Sequence, residues 1–214
     1  MIVVVGGIKG GSGKSTISTN LCVICSSEGH KVLLVDADPQ KSSSMFSSQR
    51  ESLGINTKWT TVQLSGINVH KELFKLKPNF DYIIVDTGGR DTGAQRSALV
   101  AADVFLSPFN PSSYDIWTAP SLKNMLNEMK LANPKMRCLV FINKADPIGT
   151  YNEDSQKILE KYEEFECLKF VVGNRKTFKK SSDDGLGVTE VPNPDKKAVQ
   201  EMRSLYEYIF NTPK

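Results

Sequence analysis

The sequence predicts an α/β fold in which a doubly wound, mostly parallel sheet carries helices on both faces. Short runs rich in Val, Ile and Leu alternate along the chain with longer stretches of helical periodicity. Several of these runs are apolar throughout, as expected of parallel strands that helices cover on both sides. The 214 residues suit one sizeable core, and no long linker or internal repeat divides them. We therefore predict a single domain over residues 1–214.

The individual elements follow from the positions of the apolar runs and the periodic stretches. The predicted strands are IVVV from Ile2, KVLLVD ending at Asp36, DYIIVD ending at Asp86, DVFLSP from Asp103, RCLVFIN ending at Asn143 and LKFVV from Leu168. The predicted helices cover residues 15–28, 70–75, 95–101, 119–132, 153–162 and 195–210. Ligands of open parallel sheets gather outside the carboxyl ends of the strands, so the residues that follow each strand are the candidates for chemistry.

The overall charge does not indicate a partner. The chain has 27 Lys and Arg residues against 24 Asp and Glu residues, a formal net charge of +3. Binding to nucleic acid or to anionic lipid would therefore have to come from a local patch. No run approaches the roughly 18 apolar residues of a membrane span, and no export segment precedes the first predicted strand. We expect a soluble, cytoplasmic protein.

The four cysteines favour a structural role over a metal or redox site. Cys22 and Cys25 have the C-x-x-C spacing, but Cys138 and Cys167 stand alone, so ligation of zinc by four thiolates would need distant parts of the chain. In the helix predicted from residue 15, Cys25 falls on the apolar stripe, which predicts a small buried residue. No disulfide framework is expected.

The segment IKGGSGKST, residues 8–16, predicts a phosphate-binding loop. The Walker pattern G-x-x-x-x-G-K-[ST] is met at Gly13, Lys14 and Ser15, but Ile8 stands where the pattern has its first glycine. The glycines let backbone N–H groups point at phosphate oxygens, and the following helix adds its positive dipole end. Lys14 is expected to reach the β- and γ-phosphates, and the Ser15 hydroxyl to ligate Mg²⁺. The predicted nucleotide-binding residues of this loop are Gly10, Gly11, Ser12, Gly13, Lys14, Ser15 and Thr16.

Further segments follow in an order that resembles the ParA/MinD family of deviant Walker ATPases, and plasmid-partition ParA proteins most of all. VLLVDADPQK places Asp36 and Asp38 at the end of the second predicted strand, and DYIIVDTGG ends a strand on Asp86 before the glycine pair 88–89. The resemblance covers nearly the whole chain, and the order of the motifs is more specific than any one of them. It implies a P-loop NTPase fold, with ATP as the nucleotide and Mg²⁺ as the metal.

The same resemblance implies roles for the three carboxylates. Asp38 would position or activate the attacking water, Asp36 would lie nearer the metal, and Asp86 would hold Mg²⁺ at the Walker B position. These roles suit γ-phosphate hydrolysis, which is mostly positioning and charge neutralisation. The expected metal ligands are therefore Ser15, Asp36 and Asp86. The alternative for each aspartate is a turn residue after a strand. The glycine pair would let its loop respond to the γ-phosphate as a switch does.

The loop carries a second lysine, Lys9, where the family has a lysine that reaches the phosphates bound by the other subunit. By resemblance, two ATP molecules would be sandwiched between two chains of a homodimer. A second cation on the triphosphate links dimerisation to the charge of ATP, which ADP supplies less well. The implied catalytic residues are Lys9, Lys14 and Asp38. A solvated loop lysine is the alternative for Lys9.

Two segments bear on the nucleotide base. FINKADP contains Asn143, Lys144 and Asp146 in an N-K-x-D pattern that resembles the guanine-recognition motif of GTPases. In the resembling ATPases an asparagine at this strand end contacts adenine, so we favour ATP over GTP, with Asn143 as a base contact. In VPNPD, Pro192 and Asn193 are expected to close over the base, with a simple helix entry as the alternative.

A basic segment, RKTFKKSSDDG, suggests a DNA contact. It clusters Arg175, Lys176, Lys179 and Lys180, which could neutralise DNA phosphates without reading sequence. A charge run is more often a solvated face. The resemblance to ParA proteins, which bind nucleoid DNA nonspecifically as ATP dimers, favours the DNA contact.

Two further segments have open roles. Tyr114 and Trp117 lie in the turn-rich stretch at 108–120, which resembles the family's region near the dimer interface, although core packing of Trp117 is an equal alternative. Arg90 and Asp91 follow the glycine pair at 88–89, where they either pair with each other or help to sense a partner.

Three functions are compatible with these motifs. We favour a positioning ATPase that cycles on nucleoid DNA, segregates a plasmid or places a cargo, and hydrolyses ATP slowly until a ParB-like or cargo adaptor protein stimulates it. A MinD-like membrane cycle would need a C-terminal amphipathic basic helix, whereas Glu201 and Glu207 make the last helix look like a docked core helix. The third is a metabolic or metal-handling enzyme of the same class, such as a dethiobiotin-synthetase-like ligase or a nitrogenase-iron-protein-like carrier. For the carrier, neither Cys138 nor Cys167 is placed to hold a cluster.

Overall fold

The computed structural model describes residues 1–211, which contain an eight-stranded sheet with only parallel pairings. The spatial order is β3-β2-β4-β1-β5-β6-β7, and β8 also pairs with β6. The predicted α/β fold is therefore confirmed, and the sheet is parallel throughout the described residues. The strands are β1 (Ile2–Val5), β2 (Val32–Ala37), β3 (Thr60–Gln63), β4 (Tyr82–Thr87), β5 (Val104–Phe109), β6 (Arg137–Ala145), β7 (Glu166–Cys167) and β8 (Val172–Gly173).

Helices cover both faces of this sheet and bury two apolar clusters. The α3, α4 and α6 helices pack on one face, and α1 and α9 pack on the other. The residues of β1, β2 and β5 are buried along their whole length because both faces of these strands are covered. The helices are α1 (Lys14–Ser27), α2 (Ser42–Ser52), α3 (Val69–Leu76), α4 (Gly93–Ala101), α5 (Ser113–Ile116), α6 (Ala119–Ala132), α7 (Tyr151–Leu159), α8 (Lys176–Asp183) and α9 (Lys196–Phe210).

The structure adds elements that the sequence pattern did not predict. Helix α2 is rich in serine, which competes with the helical backbone for hydrogen bonds, and strand β3 is a short, half-exposed edge strand. Helix α5 is a single short turn, and the predicted strand LKFVV is wrong in its bounds, since β7 precedes it and β8 begins at its last residue. Short or polar elements such as these carry little periodicity of their own.

Helix α2 is held in place by a buried arginine. The Arg50 guanidinium donates to both carboxylate oxygens of Glu190, at 2.6 and 2.9 Å, and to the carbonyl oxygen of Gly185 at 2.8 Å. It also lies over the Trp59 ring, 4.8 Å from the centroid. These contacts join α2 to the loop between α8 and α9, which compensates for the low helix propensity of its sequence.

Helix α9 docks on the sheet, as its sequence predicts. Met202, Leu205 and Ile209 on its apolar stripe are fully buried in the core. Cys22 and Cys25 of α1 are both fully buried, which agrees with the structural role predicted for them. Across residues 1–211, no helix combines the length and the hydropathy that a membrane span requires.

Candidate nucleotide-binding site

The loop between β1 and α1 is shaped as a cradle. Its last residue, Gly13, has φ 90° and begins α1 without a side-chain cap. A Cβ atom at this position would lie 2.4 Å from Nδ2 of Asn143, so both the backbone conformation and the space require glycine. Because no side chain caps α1, its first N–H groups are available to an anionic ligand.

Three carbonyl groups of the loop accept hydrogen bonds from side chains. Nζ of Lys14 donates to the Lys9 oxygen at 3.0 Å, and Nζ of Lys144 donates to the Gly11 oxygen at 2.7 Å. Nδ2 of Asn143 donates to the oxygen of residue 12 at 2.7 Å. Within residues 1–211, the N–H groups of residues 10–13 have no acceptor. The loop therefore has unpaired backbone donors that a phosphate could engage.

The concave side opens into a cavity of about 750 Å³. Its walls come from the ends of three neighbouring strands, because the loops after β1, β2 and β4 meet at the same edge of the sheet. Lys144, after β6, completes the wall. The lining residues are Gly10, Gly11, Gly13, Lys14, Ser15, Thr16, Asp38, Pro39, Gln40, Ser42, Gly88, Gly89, Arg90, Thr92 and Lys144.

A buried carboxylate lies beneath this cavity. Asp86 is fully buried at the end of β4, and among the described residues its Oδ2 has no hydrogen-bond partner. Burial raises its pKa to about 7, and hydrogen bonding with Ser15 opposes that rise. An unpaired buried oxygen beside a serine hydroxyl fits Mg²⁺, which takes one or two protein oxygens and the phosphates of a bound nucleotide. Residues 1–211 hold no group of three His, Cys, Asp or Glu side chains that could bind a metal ion, so phosphate oxygens and water would have to supply the other ligands.

The two aspartates after β2 differ in their contacts. Asp36 is buried, and its oxygens accept from the N–H groups of Asp38 at 3.1 Å and Ser44 at 2.7 Å. These contacts fix the loop after β2 and the start of α2, and each oxygen of Asp36 accepts one backbone hydrogen bond. The Asp38 side chain lines the cavity and accepts from the Gln40 N–H at 2.9 Å.

The loops after β1 and β4 touch through their backbones. A Cβ atom on Gly89 would lie 2.4 Å from Cα of Gly10, which leaves room only for glycine. Deeper in the sheet, Oε1 of Gln95 accepts from the Gly7 N–H at 3.0 Å and from the Thr87 hydroxyl at 2.8 Å. A movement of the loop after β4 would therefore displace the phosphate-binding loop.

Lys9 points away from its own cavity. Its Nζ pairs with Asp115 of α5 and lies 5.7 Å from the centroid of the Tyr114 ring. Asp115 is buried, and its other oxygen accepts from the Asn110 N–H at 3.0 Å. The Lys9 ammonium group is therefore paired although its side chain is 41% exposed, and Lys9 does not line the cavity of its own subunit. Asp115 could not be identified from the sequence, because α5 is too short to predict.

A second cavity of about 320 Å³ adjoins the first and shares Gly13, Thr16 and Lys144 with it. Asn143 lies in its wall, as the prediction of a base contact requires, but Asp146 does not. Pro192 and Asn193 line neither cavity, so the structure does not bring them to the site. The second cavity is also lined by residues that the sequence analysis did not assign to the base. They are Ile17, Gly173, Asn174, Arg175, Phe178, Lys179, Ser182 and Asp183.

The predicted basic patch divides into free and paired residues. Lys176, Lys179 and Lys180 are exposed on α8. Arg175 is not free, because it donates to Glu201 at 2.6 and 3.1 Å, and this carboxylate raises the pKa of the guanidinium. An arginine neutralised in this way adds little to a DNA-binding surface, which leaves the three lysines as the candidates.

The stretch at 108–120 carries exposed aromatic rings. Tyr114 is 72% exposed and Trp117 is 68% exposed, so core packing of Trp117 is ruled out. Of the two alternatives for Arg90 and Asp91, the ion pair between them is absent from the described residues, since both oxygens of Asp91 accept from Arg96 at 2.7 Å.

Comparisons with known proteins agree with this geometry. The family model described as CobQ/CobB/MinD/ParA nucleotide binding domain matches residues 3–188. The maintenance of carboxysome distribution protein A of Halothiobacillus neapolitanus is 24% identical over 212 residues, which cover 96% of this chain and 94% of that protein. The Cyanothece McdA(D38A)-ATP complex has a TM-score of 0.80 at 16% identity and covers 100% of this chain and 97% of that chain. A putative plasmid partition protein from Borrelia burgdorferi bound to AMPPNP has a TM-score of 0.72 at 19% identity, with 98% of each chain covered. Because the family model matches most of the chain, this protein belongs to the CobQ/CobB/MinD/ParA family of nucleotide-binding domains.

Proposed function

We propose that this protein is a ParA-type positioning ATPase, which dimerises with ATP, binds DNA nonspecifically and is reset by hydrolysis that a partner protein stimulates. The observation that carries the proposal is the cavity of about 750 Å³. Loop residues with unpaired N–H groups and the uncapped start of α1 line this cavity, and the buried Asp86 carboxylate, which has an unpaired oxygen, lies beside the lining residue Ser15. Such a site is complementary to a triphosphate and a divalent cation.

Each side chain of the site has a role in this proposal. Lys14 and the loop N–H groups hold the β- and γ-phosphates, and Asp38 orients the attacking water. Ser15 and Asp86 are the residues that would hold Mg²⁺, which neutralises phosphate charge when bound. Asp36 positions Asp38, because one of its oxygens accepts from the Asp38 backbone N–H, and it would lie nearer the metal than Asp38 does.

The second cavity favours ATP over GTP. Asn143 lines it, whereas Asp146, the residue that would have to accept from guanine, does not. The backbone N–H of Asp146 instead donates to Asn152 at 3.0 Å, and its carbonyl oxygen accepts from the same side chain at 2.7 Å. We assign the base to Asn143 and its neighbours in this cavity.

The dimer part of the proposal rests on Lys9. Its ammonium group lies outside its own cavity and beside exposed aromatic rings, at a position from which a second subunit's nucleotide could recruit it. Transfer from Asp115 to a triphosphate would exchange one ion pair for a stronger one, because ATP carries more negative charge than one carboxylate.

The positioning of a cargo is supported by the names of the relatives, and a contact with nucleoid DNA is supported by the exposed lysines of α8. One relative distributes carboxysomes and a structural neighbour is a putative plasmid partition protein. Lysines 176, 179 and 180 provide a sequence-independent phosphate contact, which a dimer would double. A ParB-like or cargo adaptor protein would supply the stimulation of hydrolysis, and the cytoplasm would be the site of the cycle.

The test is binding of the purified protein to nonspecific double-stranded DNA with ATP, ADP, GTP or no nucleotide, at about 50 and about 200 mM salt. We expect binding with ATP alone, and a steep loss at the higher salt. A variant with glutamine at Lys176, Lys179 and Lys180 should bind at least roughly tenfold more weakly. The matched control places glutamine at the exposed lysines 71, 75 and 157. If ATP is hydrolysed but no nucleotide promotes DNA binding, the DNA-cycling function is wrong.

A further inference from the structure

We propose that Arg90 is a catalytic residue of this site, which contacts the terminal phosphate of the ATP bound in its own subunit. This inference rests on the proposed ATPase function and adds to it a cation that none of the motifs specifies. Arg90 follows the glycine pair at 88–89 and lines the same cavity as Lys14 and Asp38. Its loop is the one that would respond to the γ-phosphate.

The position of Arg90 is set on both sides by its neighbours. On one side, Gly89 is packed against the backbone of Gly10 in the phosphate-binding loop. On the other side, Thr92 caps helix α4 by accepting from the Gln95 N–H at 3.1 Å. Only Asp91 separates Arg90 from this cap, so the residues on both sides of Arg90 are held by contacts at the wall of the cavity.

The charges around Arg90 leave its guanidinium available. Every other arginine has a carboxylate within 4.0 Å: Arg50 with Glu190, Arg96 with Asp91, Arg137 with Glu166, Arg175 with Glu201 and Arg203 with Glu28. Arg90 has no such partner in the part of the chain that the structure describes. Its neighbour Asp91 is turned toward Arg96 by two hydrogen bonds of 2.7 Å, which removes the nearest carboxylate in the sequence.

A guanidinium at this wall suits the reaction. Water bonds to the terminal phosphorus, the bond from phosphorus to the bridging oxygen breaks, and its electron pair leaves with ADP while the proton of the water passes to the phosphate product. Negative charge on the terminal oxygens and on the leaving oxygen is stabilised by a planar donor with several N–H groups. Arg90 would thus discriminate ATP from ADP and accelerate hydrolysis, because both effects depend on the terminal phosphate.

The test compares Arg90→Ala and Arg90→Lys with Arg203→Ala, a control whose exposed arginine pairs with Glu28 far along the chain. Affinities for AMPPNP and ADP are measured by calorimetry with Mg²⁺, and turnover is measured with ATP. For Arg90→Ala we expect AMPPNP affinity and turnover to fall by roughly tenfold to a hundredfold, with ADP affinity changed less than about twofold. Arg90→Lys should recover part of the loss, and Arg203→Ala should match the wild type.

Further outcomes distinguish this inference from the proposal beneath it. If the wild type binds neither nucleotide, the proposed function fails. If the wild type binds and hydrolyses ATP but Arg90→Ala keeps the same turnover and the same preference for AMPPNP over ADP, the role of Arg90 is wrong. Repeating the AMPPNP titration in a Lys9→Gln background tests whether Arg90 acts on the nucleotide of its own subunit. The loss caused by Arg90→Ala must persist there, and its disappearance would contradict action within one subunit.

Discussion

At the scale of single residues, the Asp86 carboxylate is buried at a cost to the stability of the free protein. Its pKa rises from 3.8 to about 7 on folding, because burial disfavours the ionised form. The native state therefore holds this proton more tightly than the unfolded state. Stability is present in full below about pH 4 and is lost as the pH rises through about 7. If no cation bound here, replacing Asp86 with a neutral residue would increase the free energy of unfolding above about pH 7.

Replacing the charge should therefore stabilise the free protein. We expect Asp86→Asn, with EDTA and no nucleotide, to raise the free energy of unfolding at pH 8 by up to roughly 4 kcal/mol. The gain should fade as the pH falls toward 4. Thermal unfolding at several pH values measures this change. We expect Mg²⁺ and ATP to increase the melting temperature of the wild type, and the same variant should lose this increase.

Asp154→Asn is the matched control, since Asp154 is exposed on α7 and should leave both melting temperatures unchanged. A decrease in the stability of Asp86→Asn at pH 8 would show that the carboxylate is satisfied in the free protein. That result would remove the main argument for a cation beside it.

At the scale of elements, the contact between the loops after β1 and β4 is the most sensitive junction. A methyl group on Gly89 would meet backbone atoms of Gly10 at 2.4 and 2.5 Å, which neither loop can avoid without moving. We expect Gly89→Ala to lower the free energy of unfolding by about 1 to 3 kcal/mol and to weaken ATP binding. Gly88→Ala is the control in the adjacent position, where the new methyl group lies 3.4 Å or more from the Asp38 carboxylate. Equal melting temperatures for the two variants would contradict a tight loop contact.

The elements also show which features a sequence pattern can predict. Helix α6 has the predicted bounds, and the predicted strands other than LKFVV end within two residues of the observed ends, because their apolar periodicity is long and regular. Helix α2 could not be predicted, since its serine-rich sequence depends on Arg50 and a partner 140 positions away. Whether Trp117 is buried or exposed could not be predicted for a related reason, because tertiary packing decides the exposure of a side chain. The phosphate-binding loop was predictable because its glycines and Lys14 are adjacent in the sequence, whereas the pairing of Lys9 with Asp115 spans 106 positions.

At the scale of the whole molecule, the parallel sheet gathers the chemistry at one edge and leaves a distinctive surface beside it. Lys9 lies there with its side chain 41% exposed, next to the largely exposed rings of Tyr114 and Trp117. Exposed aromatic side chains of this size are common at interfaces and costly on an isolated surface. We therefore expect this surface to be buried against a second subunit when a nucleotide is bound.

Lys9→Gln tests that arrangement without touching the cavity. The variant keeps a long polar side chain but lacks the charge that would reach the other subunit's phosphates, so we expect ADP and AMPPNP to bind the monomer within about threefold of wild type. The ATP-dependent dimer should weaken by at least roughly tenfold, because a charge-assisted contact is lost on each side of the twofold axis. Analytical ultracentrifugation with AMPPNP measures the dimer, and Lys75→Gln on the exposed face of α3 is the matched control. Loss of nucleotide binding along with the dimer would place Lys9 in its own cavity. A dimer of unchanged strength would leave Lys9 as a partner of Asp115 alone.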